Sequence, residues 1–121
     1  MSDRRLPIYV VVDTSGSMSG ELIQTVNTGI RLLVDDLQAD PQALETAHLS
    51  VITFESSAKV VVPLTEVGSF QIPTLQTGGS TNLRDGLKLV CSSIEKEVRK
   101  NTPTQKGDYK PMVFLMTDGY P

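Results

Sequence analysis

Asp13, Ser15 and Ser17 alternate within the run Asp13-Thr14-Ser15-Gly16-Ser17. In an extended turn, alternate side chains face the same side, so one carboxylate and two hydroxyls form an oxygen-only half-shell. A second aspartate, Asp118, stands in Thr117-Asp118-Gly119, again directly after an apolar run. A third hydroxyl, Thr81, ends the glycine-rich stretch Gly78-Gly79-Ser80-Thr81, just before a helical pattern. Neutral hydroxyls with only two acids suit a small hard dication that keeps part of its water. That is Mg2+ behaviour, with Mn2+ and Ca2+ as the other oxygen-seeking candidates. Taken singly, each aspartate also reads as a residue that tips a strand or caps a turn, and the serines as a turn and helix cap. With one cysteine and one histidine, the chain lacks the ligands for the usual Cys/His zinc site, so oxygen must hold any metal.

Positioning these residues requires strands that end together. Pro7 to Val12 (PIYVVV) reads as a strand buried on both faces, ending at Asp13. Residues 21–38 carry Leu22, Ile23, Val26, Ile30, Leu33, Val34 and Leu37 at helical spacing, and Asp40-Pro41 closes that helix. His48 to Phe54 and Lys59 to Leu64 read as an antiparallel hairpin around Glu55-Ser56-Ser57, with Pro63 marking an edge strand. After an irregular stretch to residue 80, Asn82 is placed to cap a second helix, with Asp85 three residues on. Its expected apolar face is Leu83, Leu87, Val90, Cys91, Ile94 and Val98, which makes Cys91 a small core hydrophobe. A polar loop over 101–110 leads to the strand Met112 to Met116, which ends at Thr117-Asp118-Gly119. Strands alternating with long helices imply an α/β fold with a mostly parallel sheet flanked by helices. In such sheets ligands bind beyond the carboxyl ends of the strands.

Composition narrows the function classes. At 121 residues, 39% hydrophobic and 21% charged, the chain reads as one soluble globular domain spanning 1–121. A net charge of −3 disfavours nucleic-acid binding by bulk charge, and no apolar run reaches the ~20 residues of a membrane span. The polar start, Met1 to Arg5, has no signal-peptide pattern, so a cytoplasmic setting is expected. Five basic residues fall within 96–110, but Glu97 and Asp108 dilute them, which reads as a solvated loop.

The three motifs together resemble the von Willebrand factor A domain with its metal-ion-dependent adhesion site (MIDAS). That site has a D-x-S-x-S run after the first strand, a threonine in a G-[ST]-T-like loop and an aspartate in a [TS]-D-G turn. All three are present here in order. The wording YVVVDTSGSMSGE, GGSTNLRDGL and FLMTDGYP is most similar to intracellular bacterial members, the TerY-type proteins of tellurite-resistance operons. The resemblance implies a Rossmann-like fold in which Ser15, Ser17 and Thr81 offer hydroxyls to the metal. Asp13 and Asp118 would bind it directly or through water. It further implies an open coordination position for an Asp or Glu carboxylate of a protein partner. Complete domains of this family continue with further strands after the TDG turn, so a domain cut short after its fourth strand is expected at Pro121. Met112 to Met116 would then be an open apolar edge, inviting self-association.

Competing readings start from the same residues. Strand-Asp-turn also opens haloacid-dehalogenase phosphotransferases, but these need a second carboxylate two residues on, where Ser15 stands. A serine hydrolase would want G-x-S-x-G and a histidine; GSMSG centres on Met18, and the single His48 has no placed partner. Met18 is also a candidate for lining the metal face. A structural α/β domain with a vestigial site is the remaining alternative.

Overall fold

The computed structural model describes residues 4–104 and 106–117. The chain runs through β1 (Leu6–Asp13), α1 (Glu21–Ala39), α2 (Pro41–Thr46), β2 (Ala47–Phe54), β3 (Ala58–Glu66), α3 (Leu83–Glu97) and β4 (Met112–Met116). The strands form one sheet in the order β3-β2-β1-β4. β1 runs parallel to β2 and β4, and β3 is antiparallel to β2. This is the α/β sheet expected from the sequence, with the hairpin and Pro63 on an edge strand.

Alternation along β1 divides the core. Ile8, Val10 and Val12 face one side and pack with Ile23, Ile30 and Val34 of α1. Tyr9 and Val11 face the other and join Ile52, Phe54 and Val90 of α3. Leu22, counted on the inner face of α1, is 45% exposed, because the buried stripe runs through Ile23, Ile30 and Val34 instead. Asp40-Pro41 ends α1 as expected but also begins α2. The Asp40 carboxylate accepts the Gln42 N–H, and proline is tolerated in a first helical turn, where its missing N–H costs nothing.

The inner face of α3 also differs from expectation. Gly86, Val90 and Ser93 are buried, while Leu83, Leu87 and Cys91 are exposed. Cys91 is therefore a surface thiol. Val90 is buried, and Ile94 and Val98 pack beside it as expected, joined by Leu89; Gly86 and Ser93 complete the buried face. On β4, Met112, Val113, Phe114 and Leu115 are all 41–45% exposed, and among the described residues β4 pairs with β1 alone.

The loop before β4 is anchored rather than loosely solvated. Arg5 holds the buried carboxylate of Asp108 in a two-pronged ion pair, at 3.0 Å from Nε and 2.7 Å from Nη2, and also donates to the Glu97 carbonyl. Glu97 in turn accepts the Tyr9 hydroxyl at 2.9 Å and the Leu64 N–H at 3.0 Å, tying α3 to β1 and β3. Burial, then the Glu97 hydrogen bond and charge, push the Tyr9 phenol well above the usual tyrosine range. For Asp108, burial opposes ionisation, but hydrogen bonds from Arg5 and the Arg99 N–H outweigh it and hold the carboxyl below its usual range.

Ionised Asp108 thus contributes its full stabilisation above the ordinary carboxyl value of 3.8. That contribution is lost as pH falls through the lower folded value. Asp108→Asn is expected to destabilise the chain at pH 7 by roughly 2 kcal/mol, and to flatten the loss of stability below about pH 4. Urea midpoints at pH 7 and pH 3 check both parts; parallel acid slopes in the two proteins would refute the assignment.

Candidate metal centre

The parallel register explains how the site is built. β1 and β2 end level, Asp13 opposite Phe54, and the Thr14 N–H continues the pairing to the Phe54 carbonyl at 2.9 Å. β4 pairs Met116 with Val12, so the next residue, Thr117, comes level with Asp13. Its hydroxyl donates to Asp13 Oδ2 at 2.8 Å. On the other carboxylate oxygen, Asp13 Oδ1 accepts the Ser15 N–H at 2.8 Å and the Ser15 hydroxyl at 2.6 Å. Ser15 Oγ lies 3.1 Å from Ser17 Oγ. Asp13 and Ser15 are buried and Ser17 is exposed, so the trio runs from the sheet end to the surface.

None of these serines caps a helix. α1 begins after Gly20 with no side-chain cap, and Ser15, at the head of the short 3-10 turn Gly16–Met18, makes no capping bond. Their hydroxyls are spent on Asp13 and on each other. Met18 is buried, 2% exposed, and so is not a free lining residue of the metal face. His48 lies at the opposite end of β2, its Nδ1 3.2 Å from the Thr46 carbonyl oxygen.

The glycine-rich loop docks beside this cluster. The Gly16 N–H donates to the Gly79 carbonyl and the Gly78 N–H to the Thr14 carbonyl, both at 2.9 Å. Thr81, half-buried, follows two residues later and directly precedes Asn82, whose side chain caps α3 by accepting the Asp85 N–H at 3.1 Å. No hydrogen bond joins the Thr81 hydroxyl to the Asp13–Ser15–Ser17 trio; it stands on the adjoining loop. Asp118 lies outside the described residues. A cleft of about 350 Å³, lined by Thr14, Thr53, Glu55, Lys59, Thr77 and Gly78 among others, opens between this loop and the β2–β3 turn.

The donor chemistry fits a hard dication. A hydroxyl that donates to a carboxylate keeps lone pairs for a cation, so Ser15 and Ser17 can offer oxygens beside the Asp13 carboxylate. Among the described residues there is no group of three His, Cys, Asp or Glu side chains able to hold a metal. Sequence reasoning gave Thr117 and Ser56 no role. The register of β4 on β1 carries the signal for Thr117; Ser56 had none short of the tertiary contact.

Comparison with known proteins agrees with the fold. The chain is 35% identical to the uncharacterized protein sll0103 of Synechocystis sp. over 124 positions, covering 97% of this chain and 26% of that protein. It therefore spans about a quarter of that relative. Among solved structures, the pilus adhesin SpaC of Lactobacillus rhamnosus GG superposes with a TM-score of 0.80 at 21% identity, over 100% of this chain and 15% of that one. The PilB minor pilin of Streptococcus sanguinis gives 0.71 at 20%, over 98% and 30% of the two chains. The ArnB paralog VWA2 of Sulfolobus acidocaldarius gives 0.68 at 20%, over 100% and 29%. Among the described residues no helix is long and apolar enough to cross a membrane. The sequence model of the von Willebrand factor type A domain matches residues 8–121, which takes in all three motifs, β2, β3, β4 and all but the first two residues of β1, and the chain belongs to that family.

Proposed function

We propose that this chain is a metal-dependent protein-binding module whose partner supplies an Asp or Glu carboxylate to a MIDAS-type Mg2+. One observation carries the reading: a buried carboxylate and two hydroxyls lie in continuous 2.6–3.1 Å contact at the end of the central parallel strand. Asp13, Ser15, Ser17 and Thr81 would hold the ion, with Asp118 as the further acid. With so few anionic ligands, a bound dication retains positive charge and attracts an external carboxylate. The chain's own part is to preorganise the oxygens. Ser15 is fixed by Asp13, and Asp13 by Thr117.

The module reading is non-enzymatic. Two residues after Asp13, where a phosphotransferase would place its acid/base carboxylate, Ser15 donates to Asp13 instead. The motif wording supports a cytoplasmic, TerY-type setting in a bacterial tellurite-resistance or stress-response complex.

The test is retention of proteins by the immobilised chain in Mg2+ and in EDTA. EDTA is expected to release the partner, and Thr81→Ala to lower its retention roughly tenfold, in line with loss of one ligand-shell group, while circular dichroism stays unchanged. Retention indifferent to EDTA would rule out carboxylate bridging.

A further inference from the structure

We infer that Ser56, at the tip of the β2–β3 hairpin, is the positioning residue for Thr81. The inference rests on the reading of Thr81 as a metal-site hydroxyl. Ser56 is 24 residues away in sequence from Ser80, yet its hydroxyl accepts the Ser80 N–H at 3.1 Å and lies 3.3 Å from Ser80 Oγ. Its carbonyl accepts from Asn82 Nδ2 at 3.4 Å. The two neighbours of Thr81 are thus both tied to one residue. The approach is close because Gly79 has φ +77° and no side chain. A Cβ there would stand 2.7 Å from Ser56 Oγ and 2.9 Å from Glu55 Oε1.

A cleft lined by Glu55 and Lys59 of the hairpin and by Thr77 and Gly78 of the loop runs between the two. On its other flank the loop is held by Thr14 and Gly16, through Gly78 and Gly79. Those bonds fix the loop two and three residues before Thr81. Ser56 fixes the residues on either side of it. Thr81 is held between the end of β1 and the hairpin tip, and the hairpin is part of the site without offering a ligand.

Because Ser56 and Ser80 are both exposed, water can replace the lost partner when the hydroxyl is removed. Fold stability should then barely change, while the freedom of Thr81 rises. Calorimetric titration with Mn2+ on Ser56→Ala, Thr81→Ala and the double variant reads the effect. Ser56→Ala is expected to weaken Mn2+ binding about three- to tenfold, the worth of about one hydrogen bond. The unfolding midpoint in EDTA should stay at the parent value. In the Thr81→Ala background the Ser56 change should have no further effect, since its route to the metal is gone. Parent-like Mn2+ affinity in Ser56→Ala would overturn the proposal. So would an equal effect in both backgrounds, or a midpoint in EDTA that falls in step with affinity. Asp13→Asn is the separate control: Mn2+ binding that survives it removes the metal reading itself, whatever Ser56 does.

Discussion

On the proposed metal reading, Asp13→Asn is expected to weaken Mg2+ and Mn2+ binding by at least about a hundredfold while the chain stays folded, since Asp13 is the group on which the proposed ligands are oriented. Asp13 is fully buried, and its two oxygens are held by the Ser15 N–H, the Ser15 hydroxyl and the Thr117 hydroxyl. Asparagine keeps the shape and one carbonyl oxygen. That oxygen can go on accepting from Ser15, and the Thr117 hydroxyl can turn to accept from the new amide. The cost to folding should be no more than about 1 kcal/mol. What is lost is the negative charge, and a dication held mainly by neutral hydroxyls has little else to offset its dehydration. Asp13→Ala is the cruder variant, because it strands the buried Ser15 N–H and hydroxyl and should cost about 1–3 kcal/mol of stability. Calorimetry on the asparagine variant, with urea melts alongside, checks the prediction. An unaltered one-site isotherm would show that the cation, if any, sits elsewhere.

The part of this site legible in the sequence is the part set by local geometry. Alternation in Asp13, Ser15 and Ser17 needs only an extended turn to bring the oxygens together, and the apolar run before it needs only a buried strand. Asn82 and Asp85 likewise announce the start of α3 through a contact three residues long. The reading fails where tertiary packing decides. Counting apolar residues put Leu83, Leu87 and Cys91 inward on α3 with Val90, Ile94 and Val98, but Phe54 lies so close to the helix that only a glycine fits against it, and the buried face runs through Gly86, Val90 and Ser93 instead. Hydrophobicity signals burial only when space allows. In the same way, Glu97 and Asp108 looked like diluting charges in a basic loop. They anchor it, since Arg5, Tyr9 and Leu64 lie more than thirty residues away in sequence and no local pattern joins them. Asp118, the fifth residue of the expected set, lies outside the described residues, while its neighbour Thr117 already reaches Asp13.

Gly86→Val is expected to destabilise the fold by roughly 3 kcal/mol and to weaken the metal site as well, although Gly86 touches no candidate ligand. A Cβ at this position would stand 2.7 Å from Phe54 Cδ2, 2.8 Å from Cγ and 3.1 Å from Cβ. Phe54 has no room to yield: it is fully buried, paired with Asp13 in the sheet, and its carbonyl holds the Thr14 N–H. The strain must be relieved by lifting α3, and α3 begins at Leu83, directly after Thr81 and the Asn82 cap. Displacing it moves the Thr81 loop away from the end of β1. Gly86→Ala should cost less, about 1 kcal/mol, because the better helix propensity of alanine, worth about 1 kcal/mol, offsets part of the overpacking. The two effects separate in a cycle with Phe54→Leu. Trimming the ring costs stability alone but makes room for the new side chain, so Gly86→Val should be milder in that background, with a coupling of about 1 kcal/mol or more. Urea melts on the four proteins measure it. Strict additivity, or a Gly86→Val chain as stable as the parent, would mean that α3 does not rest on Phe54 through this glycine.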